Sequence, residues 1–137
     1  MKLEGRALVA GTASGPVAAI APLSFWGGYD PVSGLIIDRS HQAFGQSLRA
    51  RILVMSAGRG SSSSSSVLAE AIRLGTAPAA IVLSEPDPIL ATGAMVAETL
   101  YGIACPILVL SLEDYRRLAA ASIARITSSA IATVEFD

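Results

Sequence analysis

The sequence predicts a single α/β domain in which a parallel, helix-covered layer of strands sits beside a second layer of strands. Three observations predict it. Strand-like and helix-like segments alternate from residue 51 to residue 120, the order that builds parallel strands joined by right-handed crossovers. Short strand-like segments at both ends of the chain need partners outside that layer. The 137 residues, 52% hydrophobic and 15% charged, fit one domain with a sizeable core. No internal repeat and no second domain is visible.

Residues 5–10 and 16–21 read as two short strands. Gly11-Thr12-Ala13-Ser14-Gly15 between them has the composition of a turn, so a hairpin or bent pair is expected. Residues 22–48 are irregular and rich in Gly, Pro, Asp and aromatics. A loop of that length in a compact domain is usually functional or packed against something. Residues 52–55 form a strand. A helix follows from about 65 to 74 and stops at Gly75, in the position of a C-cap. Residues 79–83 form a buried strand. Asp87-Pro88 has the pattern of an N-cap with proline in the first turn, opening a helix that runs to Tyr101 and ends at Gly102. Residues 107–110 are the next strand. Ser111-Leu112-Glu113-Asp114 resembles a capping box and starts a helix reaching about Ala120. Residues 130–136 alternate as a last strand.

Bulk properties exclude several classes of function. The net charge is −1 with a single lysine, Lys2, and no basic cluster with interleaved aromatics suits nucleic acid. No apolar run reaches the roughly 20 residues that span a bilayer, and residues 1–5 lack the apolar core of a signal peptide. A cytoplasmic protein without membrane or nucleic-acid partners is expected. The mean hydropathy of +0.56 is high for a soluble chain, which points to surface covered by a partner. One cysteine, Cys105, and one histidine, His41, cannot form a disulfide, a His-based metal site or an iron–sulfur site within one chain. Cys105 reads as a core thiol.

The most informative local feature is Gly58-Arg59-Gly60 followed by six serines, residues 61–66. A strand precedes it and a helix follows it. Free amides at the helix start would point at one spot and favour an anion. Arg59 can grip a carboxylate or phosphate, and a serine there could move a proton if its pKa is lowered. Serine runs also serve as flexible linkers, and serine is a common N-cap. The shortness of this run and its apolar flanks favour an ordered loop. Phe25-Trp26-Gly27-Gly28 offers two readings, a lid or interface plug and a loop anchored by aromatic burial. Asp38, Arg39 and His41 lie close in sequence, and His41 is a candidate acid–base group or a loop histidine with backbone partners. Ser84-Glu85-Pro86-Asp87 follows a parallel strand, at the edge where α/β sheets bind ligands. Asp87 reads as a cap there and Glu85 as the freer carboxylate. No Walker loop, dinucleotide fingerprint or Gly-x-Ser-x-Gly elbow is present.

Four stretches together resemble one family: residues 22–31, Gly58-Arg59-Gly60-Ser61-Ser62, residues 77–82 and Asp87-Pro88-Ile89-Leu90. Their order and spacing are similar to the small subunit, or swivel domain, of aconitase X. The resemblance implies the swivelling β/β/α fold and a hydro-lyase completed by a large subunit that holds an iron–sulfur cluster or iron. It matches Ser61 to the catalytic serine that aconitase carries in a Gly-Ser-Ser-Arg run, and Ser62 to the next. The serine run leaves that register open by about one residue. Ser63 stands where aconitase has arginine, and Arg59 is the candidate replacement. The resemblance thus implies Ser61 and Ser62 as catalytic and Gly58, Arg59, Gly60 and Ser63 as substrate-binding. Phe25, Trp26, Gly27, Gly28, Asp38, Arg39 and His41 are expected at the subunit interface or in an active-site loop. Family members resemble either cis-3-hydroxy-L-proline dehydratase or phosphomevalonate dehydratase, and the alanine-rich, lysine-poor composition favours the first. The competing readings are a non-catalytic swivel or interaction module and a stand-alone anion-binding protein.

Overall fold

The computed structural model describes all of Met1–Asp137. Nine strands and four helical segments follow in the order β1 (Lys2–Val9), β2 (Gly11–Ala19), α1 (Phe25–Gly28), β3 (Tyr29–Asp30), β4 (Leu35–Ile36), β5 (Ile52–Val54), α2 (Ser64–Leu74), β6 (Ala80–Leu83), α3 (Pro88–Tyr101), β7 (Ile107–Val109), α4 (Leu112–Ala119), β8 (Ile123–Ser128) and β9 (Ala132–Phe136). Seven strands close into a barrel, β1-β7-β6-β5-β2-β8-β9, with β9 returning to β1. β2, β5, β6 and β7 run parallel to one another. The remaining pairings are antiparallel.

The two expected layers are present, and β1 and β2 belong to both. Lys2 to Gly5 pairs with β9, whereas Arg6 onward pairs with β7. Gly11 to Pro16 pairs with β8, whereas Val17 to Ala19 pairs with β5. Strands that change sheets need a tight corner, and a glycine stands at each. A Cβ on Gly5 would lie 2.5 Å from the Val109 carbonyl oxygen, and one on Gly15 would lie 2.7 Å from that of Ala50.

The expected hairpin does not form. β1 and β2 never pair with each other, and residues 11–15 are the first half of β2. Their small side chains have the composition of a turn, but here they let a strand cross closely over its neighbours. β8 lies in a stretch that the sequence reading leaves unassigned. It alternates exposed and buried residues, with Ala124, Ile126 and Ser128 inward, yet only one of those three is strongly apolar. The predicted helix ends hold well. Gly75 and Gly102 are left-handed C-caps, and Asp87 caps α3 through its side chain.

Two cores share the walls formed by β5 and β6. Ile52, Val54, Ala80 and Val82 face the barrel interior, where α4 adds Leu118. Leu53, Met55, Ile81 and Leu83 face outward onto α2 and α3. Burial on both faces explains why these strands read as continuous apolar runs. α2 and α3 approach closely at Gly93, where a Cβ would lie 2.5 Å from the Ser65 carbonyl oxygen.

Cys105 belongs to the outer core at 1% exposure, and burial pushes its thiol up to about 12 from an ordinary 9.0. A group held protonated by folding stabilises the native state below its unfolded value and loses that contribution as pH rises toward the folded value. Burial also raises the Tyr29 phenol, so the two act in the same direction. Urea unfolding should therefore show stability falling between about pH 9 and 12, with a shallower fall for Cys105→Ala. In native protein near pH 8 the thiol should resist a disulfide reagent that modifies it promptly in denaturant. Prompt native labelling would show that the thiol is not in the core.

Candidate active site at the serine loop

Three chain segments meet at the C-terminal ends of parallel strands β2, β5 and β6, the edge where such sheets place ligands. The loop after β5 carries Gly58 to Ser63. The segment after β2 brings Leu23 and Phe25, and the turn after β6 brings Asp87. Together they line a pocket of about 120 Å³ that also contains Arg59, Gly60, Ser61, Ser64, Ile89 and Leu90.

The root of the serine loop is fixed between β5 and β6. The Ser56 carbonyl accepts the amides of Ser84 and Glu85 and the Ser84 hydroxyl, at 3.0, 3.1 and 3.0 Å. Beyond it the loop packs against both neighbours. A Cβ on Gly58 would collide with Asp87 Oδ2, and one on Gly60 would collide with Ser24 Oγ. Gly60 also has φ +94°, a conformation that glycine adopts without steric cost.

The free amides lie one step upstream of where the sequence places them. The Ser64, Ser65 and Ser66 amides donate to the carbonyls of Ser61, Ser62 and Ser63 at 3.0, 3.3 and 3.1 Å. No amide from Ser56 to Ser62 has an acceptor inside the protein, and those of Gly58 to Ser62 belong to the glycine turn and the start of the serine run. A run of open amides in a glycine turn is a concave anion receptor. The Arg59 guanidinium beside it makes no ion pair.

The six serines differ in state. Ser61 Oγ accepts the Ser63 amide at 3.1 Å and donates to no protein acceptor. Ser62 and Ser63 have no side-chain hydrogen bond, and Ser63, the N-cap of α2, makes no side-chain cap. Ser64 is buried, and its Oγ accepts the Trp26 amide at 3.1 Å. The Ser65 hydroxyl is committed to the Ser62 carbonyl at 3.0 Å. The pocket wall contains Ser61 and Ser64, with Ser62 and Ser63 outside it. Ser64 and Asp87 are the pocket groups that sequence reasoning did not select. Nothing in a run of identical residues marks Ser64, whereas Asp87 stands at a strand end where its sequence context suggests only a cap. Glu85, read as the freer carboxylate, is exposed and does not line the pocket.

The aromatic loop is anchored by one ring and exposes the other. Phe25 is buried, with its ring 4.8 Å from that of Tyr29. Trp26 is 57% exposed. The short α1 is kinked, with extended Trp26 and left-handed Gly27, so Phe25 turns inward and Trp26 outward. The Ser24 hydroxyl donates to the Trp26 carbonyl at 2.8 Å. Ser64 thus ties the aromatic loop to the serine loop, while Ser24 braces the aromatic loop internally. Gly28 is buried against Leu23.

Asp38, Arg39 and His41 form a neighbouring turn outside the pocket wall. Asp38 accepts the Ser40 hydroxyl and amide at 2.7 and 3.0 Å. These bonds hold its carboxyl below the ordinary range, with the nearby charge of Arg59 adding to the effect. His41 Nδ1 accepts the Ala43 amide at 2.9 Å, so Nε2 carries the proton and donates to the Ala21 carbonyl at 2.9 Å. Both ring nitrogens are engaged with backbone, the arrangement of a loop-fastening histidine. Arg39 is exposed.

No group of three or more His, Cys, Asp or Glu side chains could hold a metal ion, and Cys105 is sealed in the core. The residues of this chain do not fit an iron or iron–sulfur site. No helix is long and apolar enough to cross a membrane.

Comparison with known proteins bears on the family and the fold. The family described as the Aconitase X swivel domain matches residues 2–135. A cis-3-hydroxy-L-proline dehydratase of Pseudomonas aeruginosa is 53% identical over 122 residues, covering 88% of this chain and 21% of that protein. A phosphomevalonate dehydratase small subunit of Methanothermobacter thermautotrophicus is 41% identical over 98 residues, covering 71% of this chain and 75% of that one. The chain spans about a fifth of the length of the hydroxyproline dehydratases it matches. A crystal structure of Thermococcus kodakaraensis aconitase X in its holo-form superimposes with a TM-score of 0.81 at 30% identity, covering all of this chain and 98% of that chain.

Proposed function

This chain belongs to the aconitase X swivel-domain family, and from that premise we propose that it supplies the serine loop of a hydro-lyase acting on cis-3-hydroxy-L-proline. The observation that carries the reading is the state of Ser61. Its hydroxyl lines the pocket and its oxygen already accepts an amide. A hydrogen bond donated to an oxygen favours that oxygen's charged form. Its proton has no competing acceptor in the protein, and the open amides and the Arg59 guanidinium add positive potential beside it. Ser65, whose proton is committed, lacks that freedom.

In this reading Arg59 and the open loop amides hold the substrate carboxylate. Ser61, ionised in that field, takes the proton from the adjacent carbon. The C–H electron pair forms the new C=C bond as the C–O bond on the next carbon breaks, and the departing hydroxide takes up a solvent proton to become water. The metal centre belongs to the large subunit, which covers the exposed Trp26. Identity of 53% to a hydroxyproline dehydratase, against 41% to a phosphomevalonate dehydratase small subunit, favours the first substrate.

The test is the dehydration of cis-3-hydroxy-L-proline, with 5-phosphomevalonate in parallel, by this chain purified with its large subunit. Turnover of hydroxyproline is expected. Turnover of phosphomevalonate alone would overturn the substrate and keep the reaction class. Turnover of neither by a stable, metal-loaded complex would leave a swivel module without this chemistry.

A further inference from the structure

The pocket contains a second charged group that proton abstraction at Ser61 does not use. Asp87 caps α3 with one carboxylate oxygen only. Its Oδ1 accepts the Ile89 and Leu90 amides at 2.9 and 3.0 Å. Its Oδ2 has no hydrogen-bond partner in the protein, and no ion pair involves the residue. Oδ2 lies against the bare Cα of Gly58, in the space a Cβ there would need. One small pocket is therefore lined by Arg59, which makes no ion pair, by Asp87 with its unpartnered carboxylate oxygen and by Ser61, with an apolar wall of Leu23, Phe25, Ile89 and Leu90.

The charges decide which ligand chemistry fits. Within the pocket wall one arginine and one aspartate sum to zero, and Asp38, outside the wall but near enough to feel the Arg59 charge, adds a further negative charge. A ligand carrying both a phosphate and a carboxylate would bring several negative charges to a single cation and place them near Asp87. A zwitterion meets an opposite charge at each end, and the apolar wall accepts the methylenes of a ring. Pairing a charged ligand group with an oriented opposite charge gives the stronger kind of hydrogen bond.

We propose that Asp87 Oδ2 is the specificity-determining group of this site, recognising the ammonium of a cyclic α-amino acid whose carboxylate is held by Arg59. The assignment rests on the dehydratase reading above and narrows its substrate class. The glycine at 58 is part of the device, since its missing side chain leaves room for Oδ2 at the pocket wall.

Asp87→Asn tests the charge without removing the cap, because asparagine keeps an oxygen for the two α3 amides. The complex with the large subunit is titrated calorimetrically with L-proline and with tetrahydrofuran-2-carboxylate, which has the same ring with an ether oxygen in place of the nitrogen. The variant should bind L-proline about tenfold or more weakly and tetrahydrofuran-2-carboxylate within about twofold of the parent. Asp87→Ser, which also caps, should show the same selective loss. The KM for cis-3-hydroxy-L-proline should rise in step with the L-proline constant. Equal weakening of both ligands, or unchanged L-proline binding, overturns the assignment, as does a parent complex that binds neither ligand. Failure of the dehydratase reading has a different signature. The parent complex would then turn over no hydroxyproline, while the two titrations would still decide the role of Asp87.

Discussion

Ser61→Ala should lower kcat for hydroxyproline dehydration by about 10³-fold, within the span that a positioned general base contributes. KM should change little, because the Ser61 hydroxyl is asked to act on the transition state and not to bind the substrate. The fold should be unaffected. Ser61 is exposed, and its one side-chain contact is an amide at 3.1 Å that water can satisfy. Two controls separate chemistry from structure. Ser62→Ala should stay within about threefold of the parent, since that hydroxyl is outside the pocket wall. Exchange of the substrate α-proton with deuterated solvent should disappear in Ser61→Ala along with turnover, as expected if proton removal is the step lost. If Ser61→Ala stays active and Ser62→Ala is dead, the catalytic register shifts by one residue. If both stay active, the base lies elsewhere and the loop only binds anions.

That register is the point at which the sequence stops being informative. Six identical side chains carry no pattern, so position in the run is all that a resemblance can use. Local geometry separates them, through the amide donated to Ser61, the burial of Ser64 with the Trp26 amide on its hydroxyl and the commitment of the Ser65 hydroxyl. The parallel layer was legible because β5, β6 and β7 are apolar on both faces and their helices end in glycines. The antiparallel layer was harder to read. β8 has a weak inner face of Ala124, Ile126 and Ser128, and the first half of β2 is written in turn residues. In both, closure of the barrel outweighs local propensity. Asp87 shows a different limit. One carboxylate can cap a helix with one oxygen and face a pocket with the other, and a sequence rule that explains the first gives no reason to look for the second.

Gly60→Ala should lower both stability and turnover, for two separable reasons. Gly60 has φ +94°, and an alanine forced to such an angle costs about 1 kcal/mol or more. Its new methyl would also collide with Ser24 Oγ, the hydroxyl that holds the Trp26 carbonyl at 2.8 Å. Relief of that collision moves either the serine loop or the aromatic loop, and with it the positions of Arg59 and Ser61. Misplacement of a reacting group by about 1 Å can cost about 100-fold in rate, so kcat should fall by that order and Tm by several degrees. Gly45→Ala isolates the backbone contribution, because Gly45 has φ +85° with nothing within 4 Å of a built Cβ. It should lower Tm and spare turnover. Ser24→Gly in the Gly60→Ala background removes the collision and leaves the strained angle, so it should recover at least about tenfold in kcat with only part of the Tm. Recovery of neither would show that backbone strain alone governs the loop. A Gly60→Ala protein with full activity would mean that contact with the aromatic loop does not position the serine loop at all.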